Sequence, residues 1–500
     1  MPSHSTHRKE PHATCDPGRN NTRPGGFVTQ RLFISKRYKY RYILRNRKKI
    51  YKLPVTFHRF SEPRVLASRD ILRCGEARGM IEQEEHRSGS DRKDQLLSSM
   101  EECRSDTLQL LELVPEEFLK RRVHSFYSPI GWHFGHVGRT EEFWVMSEAL
   151  HRPLLDDRLT FLFADLPDNP KDNRVHIPDR DGIIDYLART RVRVIDALAR
   201  TNLETPNPLT RDGYAWEFAL QHEYQHQETI LEMLQLIQKE LADSASDLPT
   251  WQAGSDGGWV EISGGAFEIG SSNSHYYDNE KDPHRVSLPR FRLAVNPVTA
   301  FEWTTFIGDG GYTRPELWSE AGWAWRERET IAHPEYWVRA DEGWSIYSPY
   351  GTRSIDPNEP AGSLSWFEAD AFARWAGKRL PSEAEWEVAR KLGGDVHSPA
   401  SISRTRGYPL PMTDVAADAV GLRGMAGSLW QWTASPFLPY PGFVPYPYDG
   451  YSWDHMEGEH FVCRGGSWAT AKPIRRPSFR NWYLPTYRQG FLGMRLAESM

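Results

Sequence analysis

The sequence predicts a chain with two folded parts of different class, a four-helix bundle followed by a loop-rich α+β domain. Two observations lead to this prediction. Over residues 94–245, apolar residues recur at three- and four-residue steps, which is the spacing of amphipathic helices. Over residues 251–500, Gly, Pro and Trp become frequent, and short alternating runs replace the helical pattern. With 39% apolar residues among 500, the chain can fill two cores.

Residues 1–93 fit neither part. The first 60 residues carry 15 Lys and Arg against two acids, whereas the remainder carries 47 basic and 65 acidic residues. We expect a basic, disordered extension or a mis-assigned start. An Arg-rich, acid-poor segment is also typical of an organelle transit peptide, or of an arm that contacts RNA or a membrane surface.

The composition of the remaining chain excludes several classes of protein. No apolar run approaches the ~18 residues of a membrane-spanning helix, so no membrane association is predicted. The acidic body is a poor partner for nucleic acid. Four cysteines without CxxC spacing exclude a disulfide scaffold and favour a reducing, cytoplasmic location.

Four helices are predicted in the first part. The first begins near Asp94, and the others cover residues 131–150, 180–200 and 213–241. The Pro- and Asp-rich segment 152–178 between the second and third helices is expected to be a long crossover or a loop that borders a site. Four helices of this length joined by loops predict a bundle.

Two elements stand out in the second part. Residues 260–270 form two short alternating runs around Gly264-Gly265, a pattern that predicts a β-hairpin. Residues 381–391 are predicted to be helical, because Ser382 and Glu385 have the spacing of a capping box.

The fourth predicted helix carries a candidate metal site. His222 and His226 lie about 40° apart on one helix face, so both imidazoles can reach one metal ion, and Gln225 borders the same face. Glu228 points away, which predicts a structural role for it. The alternative is that both histidines lie on a solvated face.

A third imidazole is available on the second predicted helix. His133 and His136 are three residues apart, and the spacing does not decide which of them faces the bundle interior. Three histidines with open coordination positions suit zinc, nickel or non-haem iron(II).

Aromatic and basic residues are concentrated near the end of the chain. Tyrosines and an Asn that face a metal could bind a polar aromatic substrate and supply a proton. The alternative is an aromatic core with structural arginines. The residues are Tyr446, Tyr448, Tyr451, Trp453, Arg475, Arg476, Arg480, Asn481, Trp482, Tyr483, Tyr487 and Arg488.

Together these features resemble the ergothioneine-biosynthesis sulfoxide synthases, which join a DinB-like four-helix domain to a C-type-lectin-like, sulfatase-modifying-factor domain related to formylglycine-generating enzymes. The resemblance covers residues 95–500. Its marks are Ser128-Pro-Ile-Gly-Trp-His-Phe-Gly-His136, His222-Glu-Tyr-Gln-His-Gln-Glu228, Gly264-Gly-Ala-Phe-Glu-Ile-Gly270, Pro297-Val-Thr299, Arg379-Leu-Pro-Ser-Glu-Ala-Glu-Trp386, Arg464-Gly-Gly-Ser-Trp468 and Phe479-Arg-Asn-Trp482. The combination in this order is far more specific than any single motif.

The resemblance implies domains at 94–245 and 251–500 and a role for each site residue. His136, His222 and His226 would bind Fe(II), with His133 beside a ligand rather than on the metal. O2 is the co-substrate in this family, which joins a thiol sulfur to imidazole C2 of hercynine and oxidises that sulfur. Tyr448 would be the catalytic proton donor. The residues matching the substrate contacts are Gln225, Tyr451, Asn481 and Trp482.

The chain departs from the family pattern where the thiol donor binds. Members that use γ-glutamylcysteine carry an Asp and an Arg at the positions of Tyr483 and Tyr487. Arg174 or Arg488 could compensate, or the donor could be cysteine or a selenium compound, as in the related selenoneine synthases.

Other functions stay open at this point. Histidine could replace hercynine as the acceptor, and a DinB-like metal-dependent thiol transferase or a non-catalytic binding module would also fit parts of the pattern. Formylglycine-generating activity needs a cysteine pair, and the second part contains only Cys463. The expected partners are small-molecule substrates, and we expect a monomer or weak oligomer.

Overall fold

A computed structural model of the protein describes residues 89–242, 257–340, 343–394 and 407–500. The expectation for residues 1–93 therefore lies outside the described residues up to position 88. Residues 89–93, expected to belong to the extension, instead begin the first helix. Within these ranges no helix combines the length and the apolar character that a membrane crossing requires.

The first part is helical, as predicted. Its helices are α1 (Gly89–Glu112), α2 (Ile130–Glu141), α3 (Asp157–Leu162), α4 (Arg180–Arg200) and α5 (Tyr214–Leu241). A π-helical turn, Glu142–Ala149, continues α2, so the two together cover the predicted second helix. The short α3 lies in the segment expected to be a crossover, and α2 packs against both α4 and α5.

Local chemistry fixes the starts of these helices. The Asp156 carboxylate accepts from the backbone N–H groups of Arg158 and Leu159 at the start of α3, and Asp179 accepts from Gly182 N–H in α4. Inside α2, a Cβ on Gly135 would lie 2.1 Å from the Phe163 ring. Glycine at this position lets the segment after α3 approach the helix closely.

The bundle interior contains a buried charge network. Arg104 donates to Glu223 at 2.8 Å and to Glu141 at 3.1 Å. Arg191 donates to Glu223 at 2.6 Å and forms an ion pair with Glu141 at 2.9 Å. Burial acts to raise the pKa of Glu223, but the two arginines outweigh it and hold that pKa at about 2. Glu223 is therefore ionised, and the two arginines balance its negative charge within the bundle.

The second part is α+β, which confirms the predicted fold class. Its helices are α6 (Ala300–Gly308), α7 (Glu320–Arg328), α8 (Trp366–Trp375) and α9 (Glu383–Gly393). Its strands are β1 (Trp259–Ile262), β2 (Gly265–Ile269), β3 (His284–Leu288), β4 (Phe291–Ala294), β5 (Trp337–Ala340), β6 (Gly343–Ser348), β7 (Gly351–Ser354), β8 (Trp430–Pro436), β9 (Phe461–Arg464), β10 (Asn481–Tyr483), β11 (Leu492–Met494) and β12 (Ala497–Ser499).

The sheets are small and mostly antiparallel. The strand orders are β1-β4-β12, β10-β9-β8-β11, β2-β3 and β5-β6-β7, and only the β8–β11 pair is parallel among these strands. The capping box that starts α9 is present, with Ser382 and Glu385 bonded reciprocally. This confirms the predicted helix.

The predicted hairpin at 260–270 is wrong. Both strands form, but β1 pairs with β4 and β2 pairs with β3, so consecutive strands enter different sheets. A Cβ on Gly264 would lie 2.8 Å from the backbone nitrogen of Arg290, which shows that the turn packs against the β3–β4 connection. The alternation correctly indicates strands, but it carries no information about their partners.

Helix α5 joins the two parts. Its Glu228 carboxylate accepts from Trp430 Nε1 at 2.9 Å, Ser467 Oγ at 2.5 Å and Thr470 Oγ1 at 2.6 Å, all in the second part. Glu228 thus has the structural role expected for it. The largest apolar cluster also extends through both parts.

Candidate metal centre

Three histidines converge where α2 packs against α5. One ring nitrogen each from His136, His222 and His226 lies within 4.8 Å of the others. The ring centroids of His222 and His226 are 4.4 Å apart, and each is 5.0 Å from that of His136. The one-turn spacing on α5 and the contact with α2 thus bring together the three residues that the resemblance selects.

The orientation of His136 is set by its surroundings. Its Nδ1 lies 2.6 Å from the Phe163 carbonyl oxygen, and its ring stacks on Trp132 with centroids 4.3 Å apart. Because a carbonyl can only accept, Nδ1 carries the proton and Nε2 keeps its lone pair. Phe163 reaches this position because Gly135 has no side chain.

His133 lies beside the group. Its Nδ1 is 3.1 Å from Nδ1 of His226, and its buried Nε2 has no hydrogen-bond partner within the described ranges. The ring also meets the edge of Tyr127, with centroids 6.4 Å apart. His133 therefore contacts one member of the group and does not complete it.

The chemistry of the donors fits a metal ion. Burial lowers the pKa of His133, His136 and His222 well below the ordinary value, and it lowers that of His226 to about 4. All four imidazoles are thus neutral at physiological pH, which is the form that binds metals. The buried Nδ1 of His222 also lacks a partner within the described chain. Three neutral nitrogen donors suit iron(II), zinc or nickel.

Gln225 connects this centre to the second part. Its Nε2 donates to the Tyr451 hydroxyl at 3.3 Å, and its Oε1 accepts from the Tyr277 hydroxyl at 2.8 Å. Tyr451 stacks on Tyr277 with centroids 4.3 Å apart and meets the Trp482 ring edge-on at 5.8 Å. Gln225, Tyr451 and Trp482 are thus brought together.

Tyr277 was not among the residues selected from the sequence. It lies 52 positions beyond Gln225, in a loop whose local pattern resembles any polar turn. Its importance comes from a contact between the two parts, for which the sequence carries no local signal.

Tyr448 lies on the outer side of this group. Its ring is 5.2 Å from Trp144 and 6.5 Å from Phe218, and 41% of the residue is exposed. Partial desolvation raises its pKa to about 12, so the hydroxyl is protonated at neutral pH. Among the described residues, Tyr451 is hydrogen-bonded to Gln225, whereas Tyr448 is not.

Asn481 leads to a second cluster of tyrosines. Its Nδ2 donates to the Tyr483 hydroxyl at 3.2 Å, and Tyr483 stacks on Tyr487 with centroids 4.2 Å apart. The Tyr487 hydroxyl donates to Glu232 at 3.0 Å and lies 2.5 Å from that of Tyr127, which also donates to Glu232. Burial raises the pKa of Glu232 to about 8.

The two candidate donor-binding arginines are already paired. Arg174 lies over Trp132 at 4.4 Å, donates to Ser128 Oγ at 2.9 Å and pairs with Asp165. Arg488 contacts Glu335 at 3.4 Å and Glu368 at 3.3 Å. Both guanidinium groups are buried, and nearby carboxylates balance their charge. A role for either in binding the thiol donor stays a prediction.

The chain is similar to proteins with these two domains. Residues 99–230 match the DinB superfamily, and residues 245–500 match the sulfatase-modifying factor enzyme 1-like domain. The hercynine oxygenase of Mycolicibacterium smegmatis is 35% identical over 81% of this chain and 99% of its own length. Those of Mycolicibacterium thermoresistibile and Mycobacterium tuberculosis are 36% and 35% identical, each over 81% of this chain, and 94% and 98% of the relatives are covered.

Proposed function

The chain belongs to the hercynine oxygenase family, and on that premise we propose that it is a non-haem iron(II), O2-dependent sulfoxide synthase of ergothioneine biosynthesis. The proposed reaction joins imidazole C2 of hercynine to the sulfur of cysteine or γ-glutamylcysteine. One O2 accepts four electrons, because one oxygen ends on sulfur and the other leaves as water with the C–H and S–H hydrogens. The observation that carries the proposal is the convergence of three neutral imidazoles beside Gln225 and its aromatic neighbours.

His136, His222 and His226 would hold the iron. A three-residue site leaves coordination positions open for substrates, unlike the closed four-residue sites of structural metals. Bound iron(II) would supply the redox chemistry with O2 and acidify the thiol. His133 would orient His226 through the contact between their Nδ1 atoms.

Gln225 and its neighbours would bind the acceptor. A side-chain amide can donate to or accept from an imidazole nitrogen. Gln225 borders the face of α5 that carries His222 and His226. Tyr451 and Trp482 offer two aromatic rings set at 87° to each other. Such rings attract a trimethylammonium group by cation–π interaction, which favours hercynine over histidine.

Tyr448 would supply a proton as O2 is reduced. Its pKa of about 12 keeps the proton on the hydroxyl until a stronger base forms nearby. Timely protonation would direct oxidation toward the sulfoxide adduct and away from simple oxidation of the thiol. Removing this hydroxyl would therefore change the products more than the rate of O2 consumption.

The proposal is tested by anaerobic reconstitution of the full chain with iron(II), followed by O2, hercynine and one donor at a time. The donors are cysteine, γ-glutamylcysteine and a selenium analogue, and histidine replaces hercynine in a parallel series. Mass spectrometry should find an adduct that carries one added oxygen. His222→Ala is the matched inactive control.

Two results would contradict the proposal. An adduct that forms without O2 would indicate a DinB-like thiol transferase instead. No adduct with any donor, despite one iron bound per chain, would favour a non-catalytic binding module.

A further inference from the structure

Four consecutive polar or aromatic residues are buried between the α5 helix and the loop that carries Tyr448 and Tyr451. They are Tyr277, Asp278, Asn279 and Glu280, each at most 2% exposed. Burial of two carboxyl groups in one short segment is costly unless every charge and hydrogen bond is compensated. The partners of these residues therefore indicate what the segment does.

Asp278 binds both ends of the tyrosine loop, defined here as residues 446–452. One carboxylate oxygen accepts from the Tyr446 backbone N–H at 3.1 Å, and the other accepts from Ser452 Oγ at 2.5 Å. Asn279 donates to the same Ser452 hydroxyl at 2.9 Å. A single side chain thus closes the loop at the residues that flank Tyr448 and Tyr451.

Tyr277, the residue before Asp278, contacts Gln225 on the helix that carries His222 and His226. The Tyr277 hydroxyl donates to Gln225 Oε1, and this contact fixes which end of the amide faces the Tyr451 hydroxyl. The Tyr277 ring supports Tyr451 from one face. Adjacent residues therefore hold the α5 amide and the tyrosine loop.

The segment itself is firmly attached to the second part. Glu280 accepts from Arg476 Nε at 2.8 Å and from Ser478 Oγ at 2.7 Å, and the Asn279 carbonyl accepts from Arg480 at 3.1 Å. These contacts make the segment a rigid support rather than a flexible loop. The side chains of Tyr277 and Asp278 can therefore fix the positions of Gln225 and of the tyrosine loop.

We infer that Tyr277 and Asp278 are positioning residues for the reaction proposed above, Tyr277 for Gln225 and Asp278 for the tyrosine loop. The inference rests on the proposed function. Tyr277 would govern acceptor binding, because it orients the amide. Asp278 would govern the fate of reduced oxygen, because the place of the Tyr448 hydroxyl depends on the loop.

Asp278→Asn is the principal test. The amide keeps one acceptor oxygen, but its NH2 group cannot accept from the Tyr446 N–H, so one end of the loop is released. We expect sulfoxide formation to fall between about tenfold and a hundredfold, while thiol oxidation takes a larger share of the O2 consumed. The matched control is Asp282→Asn, an exposed carboxylate four residues away that should leave this product ratio unchanged.

Tyr277→Phe separates the two roles. It removes only the hydroxyl, so we expect KM for the acceptor to rise about tenfold, with a smaller change in kcat and an unchanged product ratio. A purely structural role would lower total activity in proportion to folded protein and would leave KM and the product ratio unaltered.

A measurement without turnover keeps the inference independent of the proposed function. Amide hydrogen exchange of residues 446–452 should be faster in Asp278→Asn than in Asp282→Asn. Ser452→Ala, which removes one of the same hydrogen bonds, should have a similar effect and serves if Asp278→Asn does not fold. Equal exchange rates in all proteins would overturn the inference, whereas failure of wild type to form any adduct would overturn the proposed function alone.

Discussion

Two buried glutamates on α5 have different environments, and only one of them is ionised at neutral pH. Glu223 faces the bundle, where two arginines keep it ionised with a pKa of about 2. Glu232 faces the tyrosine cluster, where it accepts from two hydroxyl groups and burial raises its pKa to about 8. Both are at most 3% exposed. Burial alone thus does not set the charge of a carboxyl group, because the available partners decide it.

The two glutamates also differ in what their partners hold together. The arginine network ties α1, α2, α4 and α5 together. The tyrosine cluster lies on the face of α5 that also carries Gln225. A neutral carboxyl with hydroxyl neighbours can exchange partners at a lower cost than an ion pair can. The bundle side is therefore held by ion pairs, whereas the tyrosine side is held by hydrogen bonds from hydroxyl groups.

The largest expected effect comes from removing an arginine from the buried ion-pair network around Glu223. Arg104→Met would leave Glu141 and Glu223 with one arginine between them, buried and incompletely neutralised. We expect the free energy of unfolding to fall by about 3–5 kcal/mol, as for other broken buried pairs. Urea denaturation of the metal-free protein measures it.

The control for this change is Arg189→Met, which removes an exposed pair with Asp185 on α4. That pair should contribute less than about 0.5 kcal/mol. Equal losses in the two variants would mean that the buried network contributes no more than a surface contact.

The next largest effect is a pH dependence of the free energy of unfolding that comes from Glu232. The pKa of Glu232 is about 8 in the folded protein and 4.5 ordinarily, so between these values the unfolded chain has lost a proton that the folded protein keeps. Stability must therefore fall as pH rises through this window, by about 1.4 kcal/mol per unit. Glu232→Gln removes the titration and should be more stable than wild type by about 3 kcal/mol at pH 7 and by little at pH 4.5.

Denaturation of both proteins at pH 4.5, 6, 7 and 8 checks this prediction, because contributions from other groups cancel in the difference. A constant difference across that range would show that Glu232 is ionised in the folded protein. The two carboxyl groups would then both be ionised in the folded protein.

The contrast also shows what the sequence could and could not predict. Helical periodicity and 100° geometry predicted α5 and the shared face of His222, Gln225 and His226, because those relations are local. Helical spacing could not choose between His133 and His136, although the family resemblance could, since the orientation of His136 depends on the Phe163 carbonyl, 27 residues further along the chain. The strand partners of residues 260–270 and the contact of Tyr277 with Gln225 are long-range for the same reason.

The charge of Glu232 is a further case of this kind. A Glu two turns beyond Gln225 on an amphipathic helix would ordinarily be taken as solvated or ion-paired. Its raised pKa follows from burial and from the nearby Glu228 carboxylate. Tyr127 and Tyr487, which come from distant parts of the chain, supply hydroxyls instead of cations and oppose that rise only in part.

The smallest expected effect tests the hydroxyl neighbours themselves. Tyr487→Phe removes one donor to Glu232, which should cost about 1 kcal/mol and raise the pKa of Glu232 further, because a donor favours the ionised form. The fall in stability should therefore continue above pH 8 in this variant. Tyr186→Phe is the control, since that hydroxyl lies 3.4 Å from Glu142 in the bundle and does not touch Glu232. If both variants shift the pH profile equally, the hydrogen bond from Tyr487 does not lower the pKa of Glu232.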